Sequence, residues 1–145
     1  MAQTTVEASC QSFFSDLMLA FPDVEKVVLS DGPSGHLVFV LENPQNAAVA
    51  AAGSSDSCTE FAQMATVTTQ QLSKLSLGAC QCITAVYENY AILQEVEAGL
   101  VVTVVVSRVG DASPLGVVKG HLAAMVGTPA FKEIRTAVRK VIETY

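Results

Sequence analysis

Ala79-Cys-Gln-Cys-Ile-Thr-Ala-Val-Tyr87, Tyr90-Ala-Ile-Leu-Gln-Glu-Val-Glu97 and Leu100-Val-Val-Thr-Val-Val-Val-Ser-Arg108 follow one another with only Glu88-Asn89 and Ala98-Gly99 between them. Breaks of two residues close antiparallel hairpins, so the three runs predict a β-meander. The third run has no useful polar alternation between Leu100 and Val106. Continuous apolar strands of this kind are covered on both faces, which places a layer above and a layer below the sheet.

The flanking segments supply those layers. Upstream, Lys26–Ser30 and His36–Glu42 bracket the turn Asp31-Gly32-Pro33-Ser34-Gly35 and predict a β-hairpin. Before it, Val6, Cys10, Phe13, Phe14, Leu17, Met18 and Phe21 recur at steps of three and four, the stripe of an amphipathic helix that stops at Pro22. Asn43–Asp56 reads as a loop with room for one Ala-rich helical turn. Ser57-Cys-Thr-Glu60 then matches a capping box, predicting a helix from Cys58 to about Leu75. Phe61, Ala65, Thr68, Leu72 and Leu75 make its main face, and Met64, Val67 and Gln71 widen the apolar zone. Downstream, Ser113-Pro114 starts a helix carrying Leu115, Val118, Leu122 and Met125. Gly127-Thr128-Pro129 breaks or kinks it, with Thr128 as N-cap for a continuation through Phe131, Ile134, Val138, Val141 and Ile142. The order is α-β-β-α-β-β-β-α, an α+β fold in one domain, residues 1–145, with a five-stranded antiparallel sheet and helices packed on its faces.

Composition narrows the function. Half of the 145 residues are hydrophobic, 15% are charged and the net charge is −6; mean hydropathy is +0.42. Abundant Val, Leu and Ala exclude disorder, and the acidic balance argues against a dedicated nucleic-acid binder. The longest apolar run, Gly99–Val106, is far short of the roughly 20 residues that span a bilayer. Met1–Val6 lacks the basic start of a signal peptide. The apolar excess therefore means either an unusually full core or surface left over for a partner.

Few residues offer chemistry. There is no phosphate-cradling Gly-x-x-x-x-Gly-Lys-Ser/Thr loop and no Gly-x-Ser-x-Gly elbow. Asp31, Ser34 and His36 lie within one tight turn, where side chains rarely aim at one point, and Asp, Gly, Pro and Ser are turn formers in any case. Glu95 and Glu97 share a strand face beside a turn and read as solvated charges. Cys10, Cys58, Cys80 and Cys82 fit a reducing compartment. The close pair is Cys-x-Cys, with His36 and His121 far away, so it reads as two small hydrophobes packed on one strand face, not as a metal site. No catalytic residue, metal or cofactor is expected. Four of the eight basic residues, Lys132, Arg135, Arg139 and Lys140, lie near the C-terminus, where cations suit the helix macrodipole.

Certain residues also carry a family likeness. Phe61-Ala62 with Thr66, Ser73-Lys74-Leu75-Ser76-Leu77, Cys82 with Tyr87-Glu88-Asn89-Tyr90 and Gln94, and Leu100-Val101-Val102 with Leu115-Gly116 stand in an order and spacing that resembles the roadblock/LC7 family. Within that family the chain is most similar to the MEK-partner, kinase-scaffold type of subunit found in the late endosomal/lysosomal adaptor complex Ragulator. The likeness runs from Phe13 to Ile142. The chain departs from the pattern in the Ala-rich stretch Ala47–Ala52, in a longer N-terminus and in Gly127-Thr128 before Pro129.

The resemblance implies a profilin-like fold and a non-enzymatic adaptor that pairs with a second roadblock subunit, as a heterodimer or a homodimer. It implies residence on the cytosolic face of late endosomes or lysosomes, held there through partners. MAP-kinase (MEK/ERK) components and Rag-type GTPases, with TOR activation, would engage the assembled complex. Pairing in this family joins second helices side by side and third strands edge to edge. Carried onto this chain, the interface residues are Glu60, Met64, Val67 and Gln71 on the helix and Ala79, Gln81, Ile83, Ala85 and Tyr87 on the strand. The strand run has no charge of its own, so an uncovered edge there would invite aggregation; a partner strand is the natural cover. Two other readings are a dynein light-chain-like or GTPase-regulating roadblock homodimer, and a small-molecule-binding profilin-like or sensor domain, or an unrecognised enzyme, either of which needs a deep pocket with convergent polar groups.

Overall fold

The computed structural model describes residues 2–43, 55–109 and 113–143. Among them the elements run α1 (Ala2–Ala20), β1 (Val24–Asp31), β2 (Leu37–Glu42), α2 (Ser55–Ser73), β3 (Cys82–Val86), β4 (Tyr90–Glu97), β5 (Leu100–Ser107), α3 (Leu115–Val126) and α4 (Pro129–Glu143). The five strands form one sheet in the order β2-β1-β5-β4-β3, with every pair antiparallel. This is the expected α+β architecture.

β5 lies in the middle of the sheet, and Leu100–Val106 is buried throughout. Its even-numbered residues Val102, Val104 and Val106 face a core built with Val27 and Leu29 of β1 and Leu93 of β4. α1, α3 and α4 close that core through Phe14 and Leu17, Val118 and Leu122, and Phe131 and Val138. Aromatic contacts join the layer: Phe13 lies 5.7 Å from Phe131, and Phe14 lies 6.5 Å from Phe39 of β2. The opposite sheet face carries Val28, Val101 and Thr103, also buried, and it is α2 that packs there, on β1, β2 and β5. The apolar run on β5 thus has its physical cause in two covering layers.

Turn chemistry fixes the meander. Ala98 and Gly99 both have positive φ, 50° and 83°, the backbone that a two-residue turn between twisted strands requires. At the other hairpin the Tyr87 N–H donates to Tyr90 O at 2.7 Å, which leaves Glu88-Asn89 as a two-residue loop. The turns that follow β1 and β4 are tied together, because the Gly32 N–H donates to Gly99 O at 2.7 Å. Between α3 and α4 the chain breaks. Thr128 caps α4 as expected, its Oγ1 accepting the Phe131 N–H at 3.3 Å.

Several expectations need correction. α2 begins at Ser55, so Ser57 lies in its first turn and not at its cap. It ends at Ser73, and Leu72 and Leu75 are exposed; the residues buried on the sheet are the small Cys58, Ala62 and Ala65. β3 is shorter than Ala79–Tyr87. Its register pairs Cys82 with Glu95, so Ala79 would fall opposite Ala98 in the turn, where no ladder partner exists. Cys82 is exposed on β3 and Cys80 precedes the strand, so the pair is not packed together on a strand face. The loop and Ala-rich turn expected over Asn43–Asp56 fall largely on residues 44–54, outside the described residues.

Candidate partner interface

β3 ends the sheet and pairs only with β4 among the described residues. Gln81 O accepts the Val96 N–H at 2.8 Å, and the Tyr87 N–H reaches Tyr90 O. Backbone groups alternate in an antiparallel ladder, so odd-numbered residues face β4 and those of Thr84 and Val86 point out of the sheet. This is an open edge of the kind a partner strand can extend.

The side chains alternate too. Ile83 and Ala85 pair with Gln94 and Ile92, on the face that α2 covers, and both remain half-buried. α2 packs mainly on β1, β2 and β5 and reaches β4 at Gln94. Two polar contacts hold the helix in place. The Gln94 Nε2 donates to Phe61 O at 3.0 Å and to Thr103 Oγ1 at 3.1 Å, and the Thr66 hydroxyl donates to Gly32 O at 2.6 Å. The small side chains beneath α2 let it approach closely enough for both.

The expected helix stripe lies on the outer flank. Glu60, Val67 and Gln71 are exposed, Val67 to 56%, and Met64 is half-buried. On the strand side, Ala79 and Gln81 precede β3 and Tyr87 follows it, all three exposed. Leu75, expected on the main face of the helix, and Leu77 were not among the expected partner-facing residues, yet they are exposed to 59% and 83% in the connection between α2 and β3. A signal for them existed: Phe61–Tyr87 contains a single charged residue, Lys74. Such a neutral, apolar stretch with exposed members suits protein contact better than solvent.

The groups that sequence reading weighed for catalysis act as fasteners. Asp31 Oδ2 accepts the Ser34 N–H at 3.1 Å and the Ser34 hydroxyl at 2.6 Å. Its Oδ1 meets Arg139 Nη1 at 3.1 Å, while Arg139 Nη2 donates to Ala98 O at 3.0 Å. Burial pushes the Asp31 carboxyl up, but the Ser34 hydrogen bonds and the Arg139 guanidinium outweigh it and hold the group below the ordinary carboxylate value. His36 takes no part beyond its backbone, whose N–H donates to Ser34 Oγ. Glu97 pairs with Arg135 at 3.1 Å, and burial raises the Glu95 carboxyl, opposed by Lys119 and reinforced by Glu97. These two glutamates are therefore not simple solvated charges, and Arg135 and Arg139 pin α4 across two hairpin turns as well as complementing its dipole. Among the described residues no three His, Cys, Asp or Glu side chains gather as a metal would need.

Residues 8–112 match the model of the family described as mitogen-activated protein kinase kinase 1 interacting. The chain belongs to this family. Solved structures place the MAPKK1-interacting chain in the roadblock/LC7 fold. A roadblock/LC7 domain from Streptomyces avermitilis superposes with TM-score 0.63 at 16% identity, covering 89% of this chain and 97% of that one. The gliding protein MglB of Thermus thermophilus gives TM-score 0.65 at 16% identity over 89% and 90%. A structure described as MglB with tetrameric arrangement gives 0.63 at 19% over 87% and 88%. Comparison with curated protein sequences gives no match.

Proposed function

We propose that this protein is one roadblock/LC7-like domain acting as a non-enzymatic adaptor and scaffold subunit. It pairs with a second roadblock-fold subunit by adding that subunit's strand to β3 and its helix to the outer flank of α2. In the assembled complex it tethers MAP-kinase (MEK/ERK) signalling and supports Rag GTPase and TOR activation on the cytosolic face of late endosomes and lysosomes. Attachment to the membrane is assigned to its partners; no helix among the described residues is long and apolar enough to cross one.

The reading is supported by one observation: in a chain of the MAPKK1-interacting family, the uncharged strand β3 ends the sheet and pairs only with β4 among the described residues. A scaffold needs only surfaces, since holding two clients raises their effective concentration. Met64→Asp with Ile83→Lys tests it by placing charge on both halves of the seam. The expected result is loss of the partner with an unchanged fold by circular dichroism; retained affinity refutes the interface.

A dynein light-chain-like or GTPase-regulating homodimer is the second reading. The helix stripe favours it to this extent: laid antiparallel on its own copy, Glu60 meets Gln71 and Met64 meets Val67, without like-charge contact. Light scattering on the purified chain separates the two. A tight homodimer supports the second reading; a monomer or weak self-association that is converted to a stable 1:1 complex by another roadblock chain supports the first.

A further inference from the structure

The sheet has a second open edge. β2 lies at the opposite end from β3, and among the described residues no strand pairs with its outer side. The Asn43 N–H donates to Glu25 O at 2.9 Å, and the register Val27 to Leu41 and Leu29 to Phe39 continues that phase. Odd-numbered residues therefore serve β1, and the backbone groups of Val40 and Glu42 point outward. The devices that usually blunt an edge are sparse here. β2 contains no Lys or Pro, Glu42 is its only charge, and the bulge lies at the Leu29/Ser30 end, which leaves Phe39–Glu42 regular.

Two separate concavities accompany this edge, each bordered by α1. Glu7, Gln11, Ser15 and Leu19 recur every four residues, so they form one stripe of the helix. Glu7 borders a concavity of about 730 Å³ at the His36–Val38 end of the strand. Gln11, Ser15 and Leu19 border another of about 360 Å³ at the Leu41–Asn43 end, and Leu19 is 70% exposed over it.

We infer that β2 is a second docking edge, which takes an extended segment of a partner protein as an added sixth strand. Outward backbone groups fix the occupant as an extended chain, because only that conformation returns their hydrogen bonds in register. Alternate side chains of such a segment fall on the α1 side over Leu19 and Leu41, so they are apolar. Glu7 beside the His36–Val38 end is acidic and the chain carries a net charge of −6, which selects a neutral or basic segment over an acidic one. The inference does not depend on what pairs with β3. The two edges are separated by four strand spacings, roughly 19 Å, so both can be occupied together, and the protein becomes a two-edged connector.

The test uses the full chain, labelled for NMR, with the capped peptide Lys-Val-Thr-Val-Thr-Val-Lys. In the wild type the peptide shifts the Val40 and Glu42 amides and slows their exchange. Val40→Pro removes an N–H that the β1–β2 ladder does not use, so the fold is kept and affinity falls at least tenfold. Thr84→Pro, on the other edge, leaves β2 binding unchanged. Peptides N-methylated at alternate residues guard against a folding defect in the variants, since one phase of methylation binds and the other does not. Absence of any shift at Val40 and Glu42, shifts confined to Cys82–Val86, or equal binding of both methylation phases overturns the inference.

Discussion

Replacing Arg139 with methionine keeps the apolar stem of the side chain and removes the guanidinium that joins α4 to two turns. The group lost makes an ion pair with Asp31 at 3.1 Å and a hydrogen bond to Ala98 O at 3.0 Å. A charged hydrogen bond is worth about 1.5–3 kcal/mol when shielded and a neutral one about 0.5–1.5. The Arg139 side chain is 33% exposed, with Asp31 at 9%, so screening cuts the sum to about 1–2 kcal/mol. At roughly 2–4 °C per kcal/mol for a domain near this size, the melting temperature should fall by about 2–8 °C at neutral pH. The effect carries a pH signature. Asp31 has a folded-state value below its ordinary one, so its contribution is present above the unfolded carboxylate value of about 3.9 and is lost as pH falls through the lower folded value. Calorimetry of both proteins from pH 7 to about pH 2.5 should show the gap between them closing at the acid end. An Arg139→Met protein as stable as the wild type at pH 7, or a gap that does not change with pH, refutes the fastening role.

Other outcomes follow from the same geometry. Ala98 carries the positive φ of a turn whose next residue is Gly99, so Ala98→Asn should stabilise the protein by up to about 1 kcal/mol, read as a higher urea midpoint with unchanged slope. Phe131→Ala empties a fully buried site at the start of α4 and should cost about 3–5 kcal/mol in the same titration. Cys10 is buried and its thiol is pushed up to about 11 by burial and then by Glu7, and Cys58 is buried with a raised value. At pH 8 a thiol reagent should therefore modify Cys82 and Cys80 in the native protein, and Cys10 and Cys58 only after unfolding.

The meander was legible because its determinants are local. Tyr90–Glu97 is β4 to the residue, and Leu100 opens β5, since two-residue turns and β-branched runs act within a few positions. Thr128 was readable for the same reason. What the sequence hid depends on distant partners. Arg135 and Arg139 look like cations serving a helix terminus until the fold brings Glu97 and Asp31 to them. Ser57-Cys-Thr-Glu60 has the pattern of a cap, yet α2 starts earlier, at Ser55. The length of β3 is set by the turn at Ala98-Gly99, which removes any ladder partner for Ala79, and no feature of Ala79-Cys-Gln itself reports that. On α2 the periodicity placed Leu72 and Leu75 in the core, but the sheet receives Cys58, Ala62 and Ala65 because small residues allow the close approach that Thr66 and Gln94 secure. Of the residues proposed for the seam, Glu60, Val67 and Gln71 are exposed on α2, Met64, Ile83 and Ala85 are half-buried, and Ala79, Gln81 and Tyr87 lie just outside β3; the open β2 edge carried no signal, since an unpaired strand reads like a paired one.

The most direct measurement of the central idea is affinity capture of the tagged full-length chain from its native extract, followed by quantitative mass spectrometry and repeated with Met64→Asp/Ile83→Lys. A second roadblock-fold chain recovered in equal amount with the wild type, and absent with the doubly charged variant, is the predicted result. Recovery of the chain without such a partner, or equal recovery of the partner by both proteins, would contradict it.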